Sequence, residues 1–340
     1  MIDLGQFSDE ITKLFLLSLL SFCLAMLLTP VYTHYAYHYK LWKQKRTTAA
    51  TGEALKVISK LSTRKRTVPT MAGLIFVLAT TVTTLFFNLD RQQTWLPLAA
   101  LLGGGFVGLI DDIINVRGRG EGVAGLRAPI KFLMVTLVAA ATALFFYYKL
   151  GYTTIQLPYA GDVHLGIFLI PLFILAVIST GNAVNISDGL DGLAGGLLLS
   201  AYSAFGVIAA LQGNFGIAGF CMTVAGTLLA YVWFNIPPAR FFMGDIGSFS
   251  LGAALGVVAM LTDTLFLLPI IGFIFVLEAG SSLLQIASKK LLHKRIFIAA
   301  PFHHHLEASG WPKTKVTMRF WIIGQMCGII GIVIALLGGY

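Results

Sequence analysis

The segment Asn182–Leu193 reads NAVNISDGLDGL and closes a long apolar run. It sets two carboxylates, Asp188 and Asp191, and two carboxamides, Asn182 and Asn185, where an apolar segment ordinarily avoids them. An ionisable group at membrane depth costs about 3 kcal/mol or more unless it is paired or solvated. Asn185, Asp188 and Asp191 recur every third residue and would share a face if helical. Gly189, Gly192, Gly195 and Gly196 argue instead for a break between spans, where irregular backbone lining a cavity is tolerated. Turn chemistry alone would explain the glycines and aspartates, but not this many amides and acids together. The segment therefore points to a site for a cation or a polar substrate.

Two more acidic clusters share this character. Asp111 and Asp112 end the run GLIDD, and fifteen residues separate Leu96 from Asp111. That is about 22 Å of helix, which leaves the pair just inside a membrane interface. A solvated helix end is the plain alternative. Asp245 lies in FFMGDIGS, Phe241–Ser248, between Gly244 and Gly247, where backbone can approach a ligand closely. A turn leading into a helix would use the same Asp and Ser as caps. A fourth element, APFHHHLE at Ala300–Glu307, offers His303, His304 and His305 beside Lys294 and Arg295. Three adjacent histidines without cysteines do not suit structural zinc. They suit hydrogen bonding to phosphate oxygens.

The elements that must position these residues are apolar. Hydrophobic residues make up 57% of the chain and charged residues 11%, far from the balance of a soluble domain. Runs of roughly 20 apolar residues can span a bilayer, and they are expected at about 13–34, 70–89, 95–115, 130–148, 165–184, 195–212, 216–234, 248–262, 265–286 and 320–338. The expected fold is an all-α polytopic membrane bundle of about ten helices, a single domain over 1–340. Lys and Arg accumulate in cytoplasmic loops, and 21 of the 24 fall on one side if these spans alternate. Only Lys13, Arg91 and Lys149 fall on the other. The loops near 35–69, 116–129, 185–194, 235–247 and 287–319 are thus expected to be cytoplasmic, and both termini outside. The net charge of +9 serves topology and anionic lipid, with no basic domain for nucleic acid. Acidic residues precede the first run, so no cleaved signal peptide is expected. Cys23, Cys221 and Cys327 lie in separate runs without metal-ligand spacing.

All three acidic clusters and the histidines fall on the predicted cytoplasmic side. Hard oxygen ligands without thiols favour Mg²⁺ or Mn²⁺, the former commonly held by one or two carboxylates and substrate phosphates. Carboxylates, a divalent cation and basic loops at a membrane surface describe phosphoryl transfer with one lipid-borne partner. An ion-coupled transporter would concentrate its acids near the midplane, often in repeated halves. Here they gather at one surface, and no internal repeat is visible.

From about Lys65 to Trp321 the chain resembles the polyprenyl-phosphate N-acetylhexosamine-1-phosphate transferases. The motifs GLIDD, NAVNISDGLDGLAGG and FMGDIGS carry that resemblance. KRIFIAAPFHHHLEASGW at Lys294–Trp311 and RFWII at Arg319–Ile323 point to the branch using UDP-MurNAc-pentapeptide, not UDP-GlcNAc. The resemblance implies transfer of phospho-MurNAc-pentapeptide to undecaprenyl phosphate, giving lipid I and UMP, in a bacterial cytoplasmic membrane. It implies Mg²⁺ on Asp245 with Asn185, Asp111 acting on the lipid phosphate, and Asp112 in support. His304 joins these catalytic groups by the same resemblance. Lys65, Lys131, Asn182, Asn185, Asp188 and Asp191 would line the nucleotide and phosphate pocket, with His303 and His305 on the sugar diphosphate. A two-step route through an aspartyl intermediate stays open, and a homodimer is implied. Three departures from the family pattern stand out: Asn115 replaces a usual Lys, Thr67–Gly73 reads TVPTMAG, and Lys313 replaces an acid after Trp-Pro. Glu278, in the middle of the ninth run, is expected to be a structural acid partnered by Ser281 or Gln285, with support of the site as the alternative.

Overall fold

The computed structural model describes residues 4–42, 68–118, 125–157 and 161–338. Lys65 and most of the expected loop 35–69 lie outside these residues. Long apolar helices follow one another in chain order: α1 (Leu4–His38), α2 (Gly73–Phe87), α3 (Trp95–Arg117) and α4 (Ala128–Tyr148). A short antiparallel hairpin, β1 (Thr154–Leu157) and β2 (Gly161–His164), precedes α5 (Leu169–Ser187). Next come α6 (Leu193–Leu211), α7 (Phe215–Asn235) and α8 (Gly244–Leu261). The chain ends with α9 (Leu268–Ile271), α10 (Phe273–Leu291), α11 (Phe302–Ala308) and α12 (Lys313–Leu337).

Each expected run contains an apolar helix, the ninth as the pair α9 and α10, while α11 lies outside the runs. Among the described residues eight helices are long and apolar enough to cross a membrane, and the protein is a polytopic membrane helix bundle. The segment Leu265–Ile271 and α10 form a further candidate, bent by 81° at Gly272 and so not the straight span expected. Helix α2 has 15 residues, about 22 Å, and needs its flanking turns to complete a crossing. The hairpin is a small addition to the all-α reading. Apolar side chains face outward on α1 (Phe15, Leu19, Leu27) and α12 (Ile322, Ile330, Val333), as lipid-facing surfaces require.

The centre is α8, whose every residue is buried. Its Gly, Ala and Ser positions let neighbouring backbones come close, the usual basis of helix packing in lipid. A Cβ at Gly104 of α3 would lie 2.5 Å from the Phe249 carbonyl oxygen, and one at Gly108 would meet the Asp245 carbonyl. From the other side, a Cβ at Gly252 would lie 2.7 Å from the Gly181 Cα of α5. Helices α3 and α5 are therefore pressed backbone to backbone on α8. That seam fixes where the ends of α3 and α5 sit relative to the start of α8.

Candidate active site

Asp111 and Asp112 occupy the last turns of α3, and Asp245 the first turn of α8. All three are buried, and a ligand oxygen from each lies within 4.8 Å of the others. The sequence reading put Asp245 in a loop before the helix. It is instead the second residue of α8, where the helix N-terminus favours negative charge. Asp112 Oδ2 accepts the Ile246 N–H at 3.1 Å, satisfying one of the donors that a helix start leaves open. Asp111 Oδ1 accepts the Leu126 N–H at 2.9 Å, which draws the entry to α4 onto the site. Lys131, in the first turn of α4, ion-pairs with Asp245 and lies 3.5 Å from Asp111 Oδ2. Its ammonium also stands 4.5 Å from the Phe249 ring centroid. Two of the three acids, one from each helix, thus share one cation from a third helix.

The Asn/Asp segment forms the break foreseen by its glycines. Helix α5 runs to Ser187, a turn covers 188–192, and α6 begins at Leu193. Asn185 points to the site: its amide donates to Ser248 Oγ at 2.8 Å, one turn along α8 from Asp245. Asn182 does not reach it by any such bond, its amide donating to the Ile178 carbonyl of its own helix at 2.8 Å. Asp188 caps the C-terminus of α5. Asp191 Oδ2 accepts the Ala239 N–H at 3.3 Å.

The clamp on this turn was not read from sequence. Asn235, buried at the end of α7, accepts the Gly192 N–H at 2.9 Å and donates to the Phe241 carbonyl at 2.7 Å. It thereby ties the acidic turn to the loop entering α8. Trp321 of α12 donates its indole N–H to the Gly192 carbonyl at 3.0 Å. Gly192 has φ +79°, a left-handed conformation that favours glycine. The available signal was an amide at the end of an apolar run, the same feature that marked Asn182.

The three histidines occupy distinct settings on α11. His303 is buried, its Nδ1 2.7 Å from Glu278 Oε2, while its backbone N–H donates to Glu278 Oε1 at 3.1 Å. The expected partners of Glu278 are therefore corrected. Ser281 donates to the Glu278 backbone carbonyl, and Gln285 holds the backbone of Ile296 and Phe297. His304 Nδ1 lies 2.7 Å from Glu307 Oε2, and Lys313 Nζ lies 3.5 Å from Glu307 Oε1. Lys313, one of the departures, thus completes a chain of three groups. Burial holds the His304 imidazole below its ordinary value, against the pull of Glu307. Burial would raise Glu307, but His304 and Lys313 outweigh it and hold the carboxyl below its ordinary range. His305 accepts the Ile298 N–H on Nδ1 at 3.3 Å and packs against Phe297 and Phe302.

The acid triad consists of hard oxygen donors without nitrogen or sulfur, a set suited to a divalent cation such as Mg²⁺. Comparison with known proteins agrees with this chemistry. The profile described as Glycosyl transferase family 4 matches residues 94–263, the stretch holding Asp111, Asp112, Lys131, the Asn/Asp turn and Asp245. A phospho-N-acetylmuramoyl-pentapeptide-transferase of Chloroflexus aggregans is 36% identical over 97% of this chain and 92% of its own length. The protein of the same name from Chloroflexus aurantiacus (strain J-10-fl) is 35% identical over the same shares.

Proposed function

The chain belongs to glycosyl transferase family 4 and, within it, to the phospho-N-acetylmuramoyl-pentapeptide-transferases, and we propose that it moves phospho-MurNAc-pentapeptide from UDP-MurNAc-pentapeptide to undecaprenyl phosphate. An oxygen of the lipid phosphate attacks the β-phosphorus, and the bond to the oxygen bridging α- and β-phosphorus breaks. UMP leaves with that electron pair, and the other product is lipid I. The observation that carries this reading is the buried triad Asp111, Asp112 and Asp245, closed by Lys131.

Asp111 orients the lipid phosphate and takes its proton. Asp112, fixed to the first turn of α8, supports that geometry. Asp245, with Asn185 brought in from α5 through its bond to Ser248, would hold Mg²⁺ or Mn²⁺, which when bound neutralises charge on the diphosphate. Lys131 is placed to neutralise phosphate oxygens as well as the acids. By the family resemblance, Asp188, Asp191, Asn182 and Lys65 would serve the nucleotide side, and His303–His305 the sugar diphosphate. An apolar cleft of about 420 Å³ between α5, α8 and the α9–α10 bend is lined by Thr180, Ala183, Leu255, Phe266, Phe275 and Ala279. It supports entry of the prenyl chain from the membrane. The Lys/Arg asymmetry supports a cytoplasmic orientation for this face, and the family membership supports a bacterial inner membrane.

The test is UMP release by purified protein given undecaprenyl phosphate, Mg²⁺ and either UDP-MurNAc-pentapeptide or UDP-GlcNAc. Turnover of the pentapeptide nucleotide alone, lost in Asp245→Ala, is expected. Turnover of UDP-GlcNAc alone would move the protein to a sister activity.

A further inference from the structure

We propose that Glu278 is a positioning residue for the transfer: it holds His303 in one tautomer and sets the Nε2 of that ring against the acidic turn. This rests on the reading of His303 as a substrate-facing group.

A carboxylate inside an apolar helix is unfavourable unless something in the fold needs its two acceptor oxygens. Glu278 is fully buried in α10, and both of its oxygens go to one residue. Oε1 takes the His303 backbone N–H, and Oε2 lies 2.7 Å from Nδ1. A carboxylate only accepts, so Nδ1 carries the proton. In the neutral ring the lone pair then falls on Nε2. That atom is buried with no hydrogen-bond partner among the described residues. It lies against Gly189, whose Cβ would sit 2.7 Å from the His303 Cε1. Gly189 separates Asp188 from Leu190 in the very turn that carries the acids. A buried ring nitrogen left without a partner calls for an explanation, and a group arriving at that turn supplies one. His304 repeats the arrangement, with Nδ1 on Glu307. Two carboxylate–histidine couples thus orient adjacent rings on α11. Anchoring the helix alone would require only the backbone bond, which an amide could accept as well.

Glu278→Gln separates these roles. A glutamine that keeps its oxygen on the backbone N–H must turn its NH₂ toward Nδ1. The ring then has to move its proton to Nε2. The helix stays anchored while the tautomer reverses. The experiment combines ¹⁵N-histidine spectra of the detergent-purified full chain with kinetics of UMP release. The His303 signals are assigned by their loss in His303→Asn. We expect wild type to show Nδ1–H for His303 and Glu278→Gln to show Nε2–H. We expect kcat to fall on the order of 10- to 100-fold, and Glu278→Gln/His303→Asn to be no worse than His303→Asn. An unchanged tautomer, full turnover in Glu278→Gln, or multiplying losses in the double variant would overturn the proposal. Should Glu278→Gln fail to fold, Gly189→Ala tests the same contact from the other side. Its loss should be relieved in Gly189→Ala/His303→Ala to the level of His303→Ala, and a double variant below that level would count against the proposal. Wild type releasing no UMP would refute the functional reading, while the spectra would still judge the tautomer.

Discussion

Gly108→Ala probes the seam on which the site depends. Gly108 lies one turn before Asp112 on α3, and its Cβ would run into the Asp245 carbonyl and lie 2.5 Å from the Ile246 Cα. Ordinary contacts of such an atom are 3.4–4 Å, and the obstacle is backbone that no side-chain rotation can clear. Helices α3 and α8 must therefore part by about 1 Å, a misplacement able to cost ~10²-fold in rate. The Asp112–Ile246 bond, now 3.1 Å, would lengthen past the usual hydrogen-bond limit. The triad oxygens, now within 4.8 Å, would spread with it. The rate loss corresponds to about 2.7 kcal/mol of activation free energy, and the overpacking should destabilise by about 1–3 kcal/mol. UMP release per folded protein and thermal unfolding in detergent measure the two effects. Gly105→Ala is the control on the same helix, because its Cβ would meet Val77 Cγ2 at 3.4 Å and Ser250 Cβ at 3.5 Å, both ordinary contacts. It should keep near wild-type turnover. Full activity and an unshifted midpoint in Gly108→Ala would refute the argument that this seam sets the acid geometry.

Other perturbations test other links. Lys131→Met leaves buried Asp111 and Asp245 without the Lys131 cation. In EDTA it should destabilise by about 3–5 kcal/mol, and Mg²⁺ should raise its unfolding midpoint more than that of wild type; equal shifts would exclude Lys131 as the cation that a divalent ion replaces. Asn235→Ala strips partners from the Gly192 N–H and the Phe241 carbonyl, at about 1–3 kcal/mol for each buried group left unpaired. Its unfolding midpoint should drop together with turnover, and a stable, active variant would disprove the clamp. Acidification should weaken the α11 region in two steps. His304 has its pKa depressed below 6.5, so the folded state binds fewer protons and stability falls as pH drops below 6.5. Glu307 is depressed below 4.5, so its contribution is full above 4.5 and is lost as pH falls through the folded value. Unfolding midpoints of His304→Gln against pH should lack the first step and show a smaller second one, because His304 helps to hold Glu307 down; retention of the first step would show that another group titrates.

Much of this protein is legible along the chain because a bilayer imposes length and polarity. Ten apolar runs, the Lys/Arg asymmetry and the isolation of Asp111, Asp112, Asn185, Asp188, Asp191 and Asp245 in apolar surroundings follow from the cost of polar groups in lipid. The glycines at 189, 192, 195 and 196 announced the break between α5 and α6 for the same local reason. Only tertiary structure decided which polar groups meet. Asp245 joins Asp111 and Asp112 because Gly104 and Gly108 allow α3 and α8 to touch backbone to backbone, and composition does not encode that pairing. Glu278 meets His303, not Ser281 or Gln285, since the chain returns at α11 to cover α10. Asn182 and Asn185 look alike in sequence, three positions apart on one helix. One bonds within its own helix and the other reaches Ser248 of α8. Local physics determines which segments span and which residues stand out, whereas the partner of each polar group depends on helix contacts between residues far apart in the chain.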